Sequence, residues 1–223
     1  MNTISKLQYV TPQPYGEEFF ADLEKALDGG IDWVQLRMKD LTYNEMTFIG
    51  IRVRELCNKK GATFIVNDHV DLVAMLGADG VHLGLNDMPV SRARKLLGAG
   101  KIIGGTANTY HDLKIHFNDG ADYVGVGPLR FTDTKKNLSP VLGLEGYRKI
   151  VTYCNADQIA IPIIAIGGIV PEDVRPLISE GAFGIALSSA IAQSADIAAT
   201  AQNFKKLVLG ASAGNVLENY EKG

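Results

Sequence analysis

The chain has 223 residues, 46% of them apolar, enough for a substantial core and near the lower end of the length an eightfold barrel of βα units needs. Its charges balance to a formal net of −3, which excludes a basic field for nucleic acid or an anionic membrane and makes any anion binding local. No apolar run approaches the roughly 18 residues of a membrane span, and no signal-peptide core opens the chain, so a cytoplasmic protein is expected.

Short β-branched runs alternate with amphipathic stretches, the pattern of repeated βα units. The spacing predicts strands over 7–11, 33–39, 62–67, 80–84, 102–106, 123–127, 162–167 and 184–188. Helices are predicted over 16–28, 43–59, 70–77, 89–97, 109–118, 143–154, 171–180 and 194–208. Thr42, Thr109 and Pro171 suit helix starts, and Gly29, Gly98, Gly120 and Gly181 suit helix ends. With no linker or low-complexity stretch, the series predicts one (β/α)8 TIM barrel over residues 1–223, a single catalytic domain whose tail frays from about residue 210. An internal echo supports repetition: Gly29-Gly-Ile-Asp, Gly77-Ala-Asp-Gly, Gly120-Ala-Asp-Tyr and Gly181-Ala-Phe-Gly each lead into an even-numbered strand.

In the first strand, Tyr9 suits either a pocket wall or the core. The second, Trp33-Val-Gln-Leu-Arg-Met-Lys39, alternates so that Gln35, Arg37 and Lys39 share one face. On an antiparallel edge those cations would be solvated. In a parallel barrel covered by helices the same face points inward, where cations want an anion such as a phosphate. The third and fourth strands close in Asn67-Asp68 and, past a short turn, Asp87. Either Asp alone reads as a turn former, but two on successive parallel strands bring carboxylates together on one rim, where a cation relieves their repulsion. Oxygen ligands point to Mg²⁺.

The fifth strand ends in Gly104-Gly-Thr106-Ala-Asn108. The sixth opens from Gly125-Val-Gly-Pro128 into a loop bearing Thr132, Thr134, Lys135 and Lys136, which reads either as a solvated basic loop or as a phosphate contact. The seventh ends in Gly167-Gly168 and the eighth in Ser188-Ser189, together the loops where barrels often cradle a phosphate on backbone N–H groups. Two anion sites follow, one on strands two to four with loop six and one on strands seven and eight. Cys57 and Cys154 form no metal-binding motif and read as buried free thiols. His82 is expected inside the barrel in a packing or hydrogen-bonding role, His69 at a helix start, and His111 and His116 on an ordinary helix face.

The ordered set Gln35-Leu-Arg37-Met-Lys39, Asn67-Asp68, Asp87, Thr106, Gly125-x-Gly-Pro128, Thr132-x-Thr134-Lys135 and Ile166-Gly-Gly-Ile169 resembles the thiamine phosphate synthase family over roughly residues 7–208. The resemblance implies an enzyme that joins hydroxymethylpyrimidine pyrophosphate to a thiazole phosphate, releasing pyrophosphate and forming thiamine phosphate. It implies that Gln35, Arg37, Lys39, Asn67, Thr106 and Lys135 bind the pyrimidine pyrophosphate, with Arg37, Lys39, Thr106 and Lys135 serving catalysis. It further implies that Thr132, Thr134, Gly168, Ser188 and Ser189 bind the thiazole phosphate and that Asp68 and Asp87 hold Mg²⁺.

Two positions depart from the family pattern: Asn108 stands where a His is frequent, and Ala186 where a Ser is frequent. A thiazole tautomerase relative would instead need a general acid or base over the thiazole. A sugar-phosphate isomerase would leave the paired acids beside the cationic strand unexplained, and a non-catalytic barrel binding thiamine precursors would bind both ligands without turnover. Barrels of this size often form homo-oligomers, and the sequence names no apolar surface as an interface.

Overall fold

A computed structural model describes residues 4–131 and 139–213. Eight parallel strands close into a barrel in sequence order: β1 (Leu7–Val10), β2 (Trp33–Leu36), β3 (Thr63–Asn67), β4 (Gly80–Leu83), β5 (Ile102–Ala107), β6 (Tyr123–Val126), β7 (Ile163–Ile166) and β8 (Gly184–Leu187). Closure comes from β1 pairing with β8, with Leu7 opposite Ile185 and Gln8 opposite Ala186. The connecting helices are α1 (Glu17–Asp28), α2 (Tyr43–Lys60), α3 (Val70–Met75), α4 (Val90–Leu97), α5 (Tyr110–Asn118), α6 (Gly143–Ala156) and α7 (Pro171–Ser179). After β8 come the short α8 (Ser189–Ala192) and the long α9 (Ile197–Ala213).

Strand alternation divides the core in two. Outward residues such as Leu7, Val34, Leu36, Phe64, Val81, Val124 and Ile185 pack with the helices in one large cluster, and Tyr9 belongs there, not to a pocket. Inward residues Val10, Trp33, Ile65, Ile102, Tyr123, Ile164 and Ala186 form a second cluster inside the barrel. Glycines make room for the large members: a Cβ on Gly104 would lie 2.2 Å from the Tyr123 ring.

The expected helix signals are in place. Thr42 and Thr109 each cap their helix in a reciprocal box, with Glu45 and Asp112 returning the bond, and Pro171 is the first residue of α7. Gly30, Gly77, Gly120 and Gly181, all in the echoed turns, have φ between +59° and +99°, which explains the recurrence of glycine. The echoed acids have a task as well. Asp79 accepts from Phe64 N at 2.7 Å and Asp122 from Ile103 N at 2.7 Å, so these two acids, before β4 and β6, tie down the odd strands preceding them.

Most boundaries shift by a residue or two, and the larger differences lie in β2 and at the end of the chain. Strand β2 stops at Leu36, because its ladder to β3 ends at Leu36 opposite Val66 and the next N–H, Arg37, is taken by the Thr11 hydroxyl at 3.1 Å. The last predicted helix, 194–208, corresponds to α9, which starts at Ile197 and continues through Gly210 to Ala213, inside the expected frayed tail, and the short α8 (Ser189–Ala192) before it was not expected. The rest of that tail, residues 214–223, lies outside the described residues.

Candidate active site

The carboxyl-terminal rim collects the predicted residues of β2, β3 and β4. Gln35 is buried inside the barrel, whereas Arg37 and Lys39 sit past the strand end and are half-buried at the mouth, not enclosed in the interior as a strand through residue 39 implied. The β1–α1 loop sets their course. Thr11 N donates to Gln35 O at 2.9 Å, the Tyr15 hydroxyl donates to Arg37 O, and Gln13 Nε2 donates to Lys39 O at 2.5 Å. With the backbone held, the Lys39 ammonium reaches the Asp68 carboxylate, and the Arg37 guanidinium donates no hydrogen bond among the described residues. Thr11, Gln13 and Tyr15 carry no sequence signal for this duty; only the pairing of β1 with β2 reveals it.

Asp68 follows β3 at φ 67°, a left-handed conformation uncommon outside glycine, and its N–H donates to His82 O at 2.8 Å. Asp87 is held by a tight turn: its Oδ2 accepts from Gly84 N at 2.7 Å and its N–H returns to Gly84 O at 3.2 Å. The two carboxylates are neighbours on the rim. Burial, then the neighbouring Asp68, pushes the Asp87 carboxyl above its ordinary range, against the opposing pull of Gly84 N–H and Lys39. Crowded carboxylates of this kind suit a divalent cation. No group of three or more His, Cys, Asp or Glu side chains positioned for a metal occurs among the described residues, so protein would supply two ligands and leave the others to water and phosphate oxygens, the usual habit of Mg²⁺.

Asn67 is buried at the end of β3, opposite His82. Thr106 lies on the inner face of β5, its hydroxyl 2.9 Å from His82 Nε2, so His82 does face the interior as expected. His69 directly precedes α3 and makes no capping bond. His116 is buried against β5 with Nε2 2.8 Å from Thr106 O, a structural role that its helix position does not announce.

Asn108 replaces a frequent His with a clamp. Its amide donates to Gly127 O at 2.9 Å and Pro140 O at 2.8 Å, joining the two stems of the β6–α6 loop. Thr132, Thr134 and Lys135, the expected phosphate contacts on that loop, lie outside the described residues. Ala186 packs in the inner cluster with Val10, Trp33 and Ile164.

At the ends of β7 and β8, Ile166 pairs with Ala186, placing Gly168 and Ser188 side by side on the rim. Gly167 and Gly168 have φ of +98° and +67°. The Ser188 hydroxyl is buried without a hydrogen-bond partner among the described residues, as befits a donor kept for a ligand. Ser189 is half-buried and begins α8. At the opposite, amino-terminal end, a cavity of about 370 Å³ is lined by Arg54, Cys57, Asn58, Thr63 and Asp79. The Arg54–Asp79 ion pair spans it, and burial pushes the Cys57 thiol up to about 12, so this end serves stability.

The fold is a (β/α)8 barrel, and its candidate site lies at the carboxyl-terminal ends of the strands, where barrel enzymes act on small molecules. Residues 7–191 match the family described as thiamine monophosphate synthase. The thiamine-phosphate synthase of Bacteroides fragilis is 50% identical over 190 residues, 85% of this chain and 93% of that protein. That of Phocaeicola vulgatus is 49% identical over 91% of this chain and 97% of its own length. The structure of thiamine phosphate pyrophosphorylase from Pyrococcus furiosus superposes with a TM-score of 0.79 at 33% identity, covering 92% of this chain and 96% of that one. The chain therefore belongs to the thiamine monophosphate synthase family.

Proposed function

We propose that this protein is a thiamine phosphate synthase: it couples hydroxymethylpyrimidine pyrophosphate to thiazole phosphate and releases pyrophosphate. The observation that carries this reading is the cluster of Lys39, Asp68 and Asp87 beside Arg37 at the barrel mouth, a charge set made for a pyrophosphate with its metal. Asp68 and Asp87 would hold Mg²⁺, which when bound neutralises the oxygens of the departing pyrophosphate. Gln35, Arg37, Lys39, Asn67, Thr106 and Lys135 bind the pyrimidine pyrophosphate. Arg37, Lys39 and Lys135 oppose the charge that grows as the methylene C–O bond breaks, and Thr106 adds a hydroxyl.

The aminopyrimidine stabilises the resulting cation, and the thiazole nitrogen attacks it to form the new C–N bond. Because no proton need leave the nitrogen, the rim requires no nucleophile and no general base, in contrast to a tautomerase. Thr132, Thr134, Gly168, Ser188 and Ser189 orient the thiazole through its phosphate. The Ser188 hydroxyl, which has no partner among the described residues, supports that second anion site. We place the enzyme in the cytoplasm as one catalytic domain; no helix among the described residues is long and apolar enough to cross a membrane.

An assay with both substrates and magnesium tests the reading. Thiamine phosphate should form only when both substrates are present. Isomerisation of a thiazole alone would assign the barrel to the tautomerases, and binding of both substrates without product would make it a carrier.

A further inference from the structure

The inner face of the barrel is apolar around Trp33, Ile65, Ile102 and Ile164, yet directly beneath the rim it changes character. There five side chains from five strands join in one chain of hydrogen bonds. Gln35 Nε2 donates to Gln8 Oε1 at 3.0 Å, and Gln8 Nε2 donates to the Tyr123 hydroxyl at 3.2 Å. That hydroxyl lies 3.0 Å from His82 Nδ1, and His82 Nε2 lies 2.9 Å from the Thr106 hydroxyl. Both ends of the chain, Gln35 and Thr106, are residues assigned above to the pyrimidine pyrophosphate. Its middle, Tyr123, is fully buried.

We infer that Tyr123 is a positioning residue whose hydroxyl fixes the direction of this chain, so that Thr106 always presents a proton to the substrate and Gln35 an acceptor oxygen. The inference rests on the synthase reading of the rim. A phenol carries one proton, and Gln8 approaches it as a donor, so the phenol proton goes to His82 Nδ1. The imidazole is then neutral with its proton on Nε2, which donates to Thr106. Having received that bond, the Thr106 hydroxyl has its own proton free for an anionic oxygen. At the other end, Gln35 donates an N–H inward, leaving its carbonyl oxygen to the ligand.

Packing keeps the phenol where this requires. The Tyr123 ring meets Trp33 edge-on at 4.7 Å, stacks on His82 at 5.5 Å and fills the space left by Gly104. Burial raises the phenol pKa well above its ordinary value, so the proton stays on oxygen at working pH.

The test uses the full chain labelled with ¹⁵N-histidine, with the His82 signal assigned by its loss in His82→Gln. In the parent, Nε2 should be protonated and Nδ1 an acceptor. In Tyr123→Phe, which keeps the ring and removes the oxygen, the tautomers should mix. The same variant should lose at least tenfold in kcat and raise KM for the pyrimidine pyrophosphate, leaving KM for thiazole phosphate unchanged. A parent His82 protonated on Nδ1 or on both nitrogens would overturn the proposal. So would a folded Tyr123→Phe enzyme turning over within twofold of the parent. If that variant does not fold, the parent tautomer decides alone. A parent with no synthase turnover would refute the functional reading, and its tautomer would still decide the direction of the chain.

Discussion

Asp87 owes its position to a residue without a side chain. A Cβ on Gly84 would stand 2.7 Å from the Asp87 Oδ2, in the place where the carboxylate accepts the Gly84 N–H. Gly84→Ala should therefore push the carboxylate off its partner, lowering turnover about tenfold or more and raising the magnesium needed for half-maximal rate. Asp68→Asn and Asp87→Asn should each cost on the order of 100-fold in kcat while the thermal midpoint stays near that of the parent, since rim residues serve the site more than the core. Near-parental rates in either variant at ordinary magnesium would sink the metal assignment.

Arg37→Gln should weaken binding of inorganic pyrophosphate by about 1.5–3 kcal/mol in calorimetry, the range for a charge-assisted contact. An unchanged affinity would mean that the guanidinium faces elsewhere. Asp68 and Asp87 were legible in the sequence because they follow strand ends, whereas strand parity placed Arg37 and Lys39 inside a strand that in fact stops at Leu36. Gln8 and Tyr123 were not legible: they sit 115 residues apart, and nothing local marks their pairing.

Among the elements, the loops after β6 and β7 form one unit. Leu129 N and Arg130 N donate to Ile166 O and Gly167 O at 2.9 and 3.0 Å, and a Cβ on Gly168 would lie 3.1 Å from Phe131 O. A bulky residue at Gly168 would thus disturb the β6 loop as well as any phosphate, which its place in a glycine pair does not disclose. Ser188→Ala is the cleaner probe. Because the buried hydroxyl has no partner to lose among the described residues, the variant should unfold at the parental temperature or slightly above. It should still lose about 1–1.5 kcal/mol of thiazole phosphate affinity, with pyrimidine pyrophosphate affinity unchanged. Equal losses for both substrates would remove the case for two anion pockets.

The same unit is tied to α7 by Arg130, whose guanidinium pairs with Asp173 while Asp173 accepts Val170 N–H at 2.9 Å. Burial pushes the Asp173 carboxyl up, but the Arg130 and Val170 hydrogen bonds, with the Arg130 charge, outweigh it and leave the pKa below the ordinary range. A lowered carboxylate pKa stabilises the fold above the unfolded-state value, and that contribution fades as pH falls through the folded value. Asp173→Asn should accordingly cost about 1 kcal/mol near neutral pH and nothing at pH low enough to protonate the acid in both states, measured by denaturant unfolding across pH.

At the scale of the whole molecule, the barrel was readable because eight apolar runs alternate with eight helical stretches, and the repeated glycine turns mark their joints. What escaped was finer: where β2 leaves its ladder, and the short α8 that precedes the last predicted helix. The first depends on a neighbour distant in sequence, the Thr11 hydroxyl. The proposed ligand groups among the described residues lie at one rim, and the account stands on their joint use. The most direct test measures pyrophosphate release and thiamine phosphate formation together across a magnesium titration, with both substrates saturating. The account predicts the two products in one-to-one ratio at every magnesium concentration, with both falling to background when the ion is chelated. Undiminished product formation after chelation, or pyrophosphate released without thiamine phosphate, would contradict it.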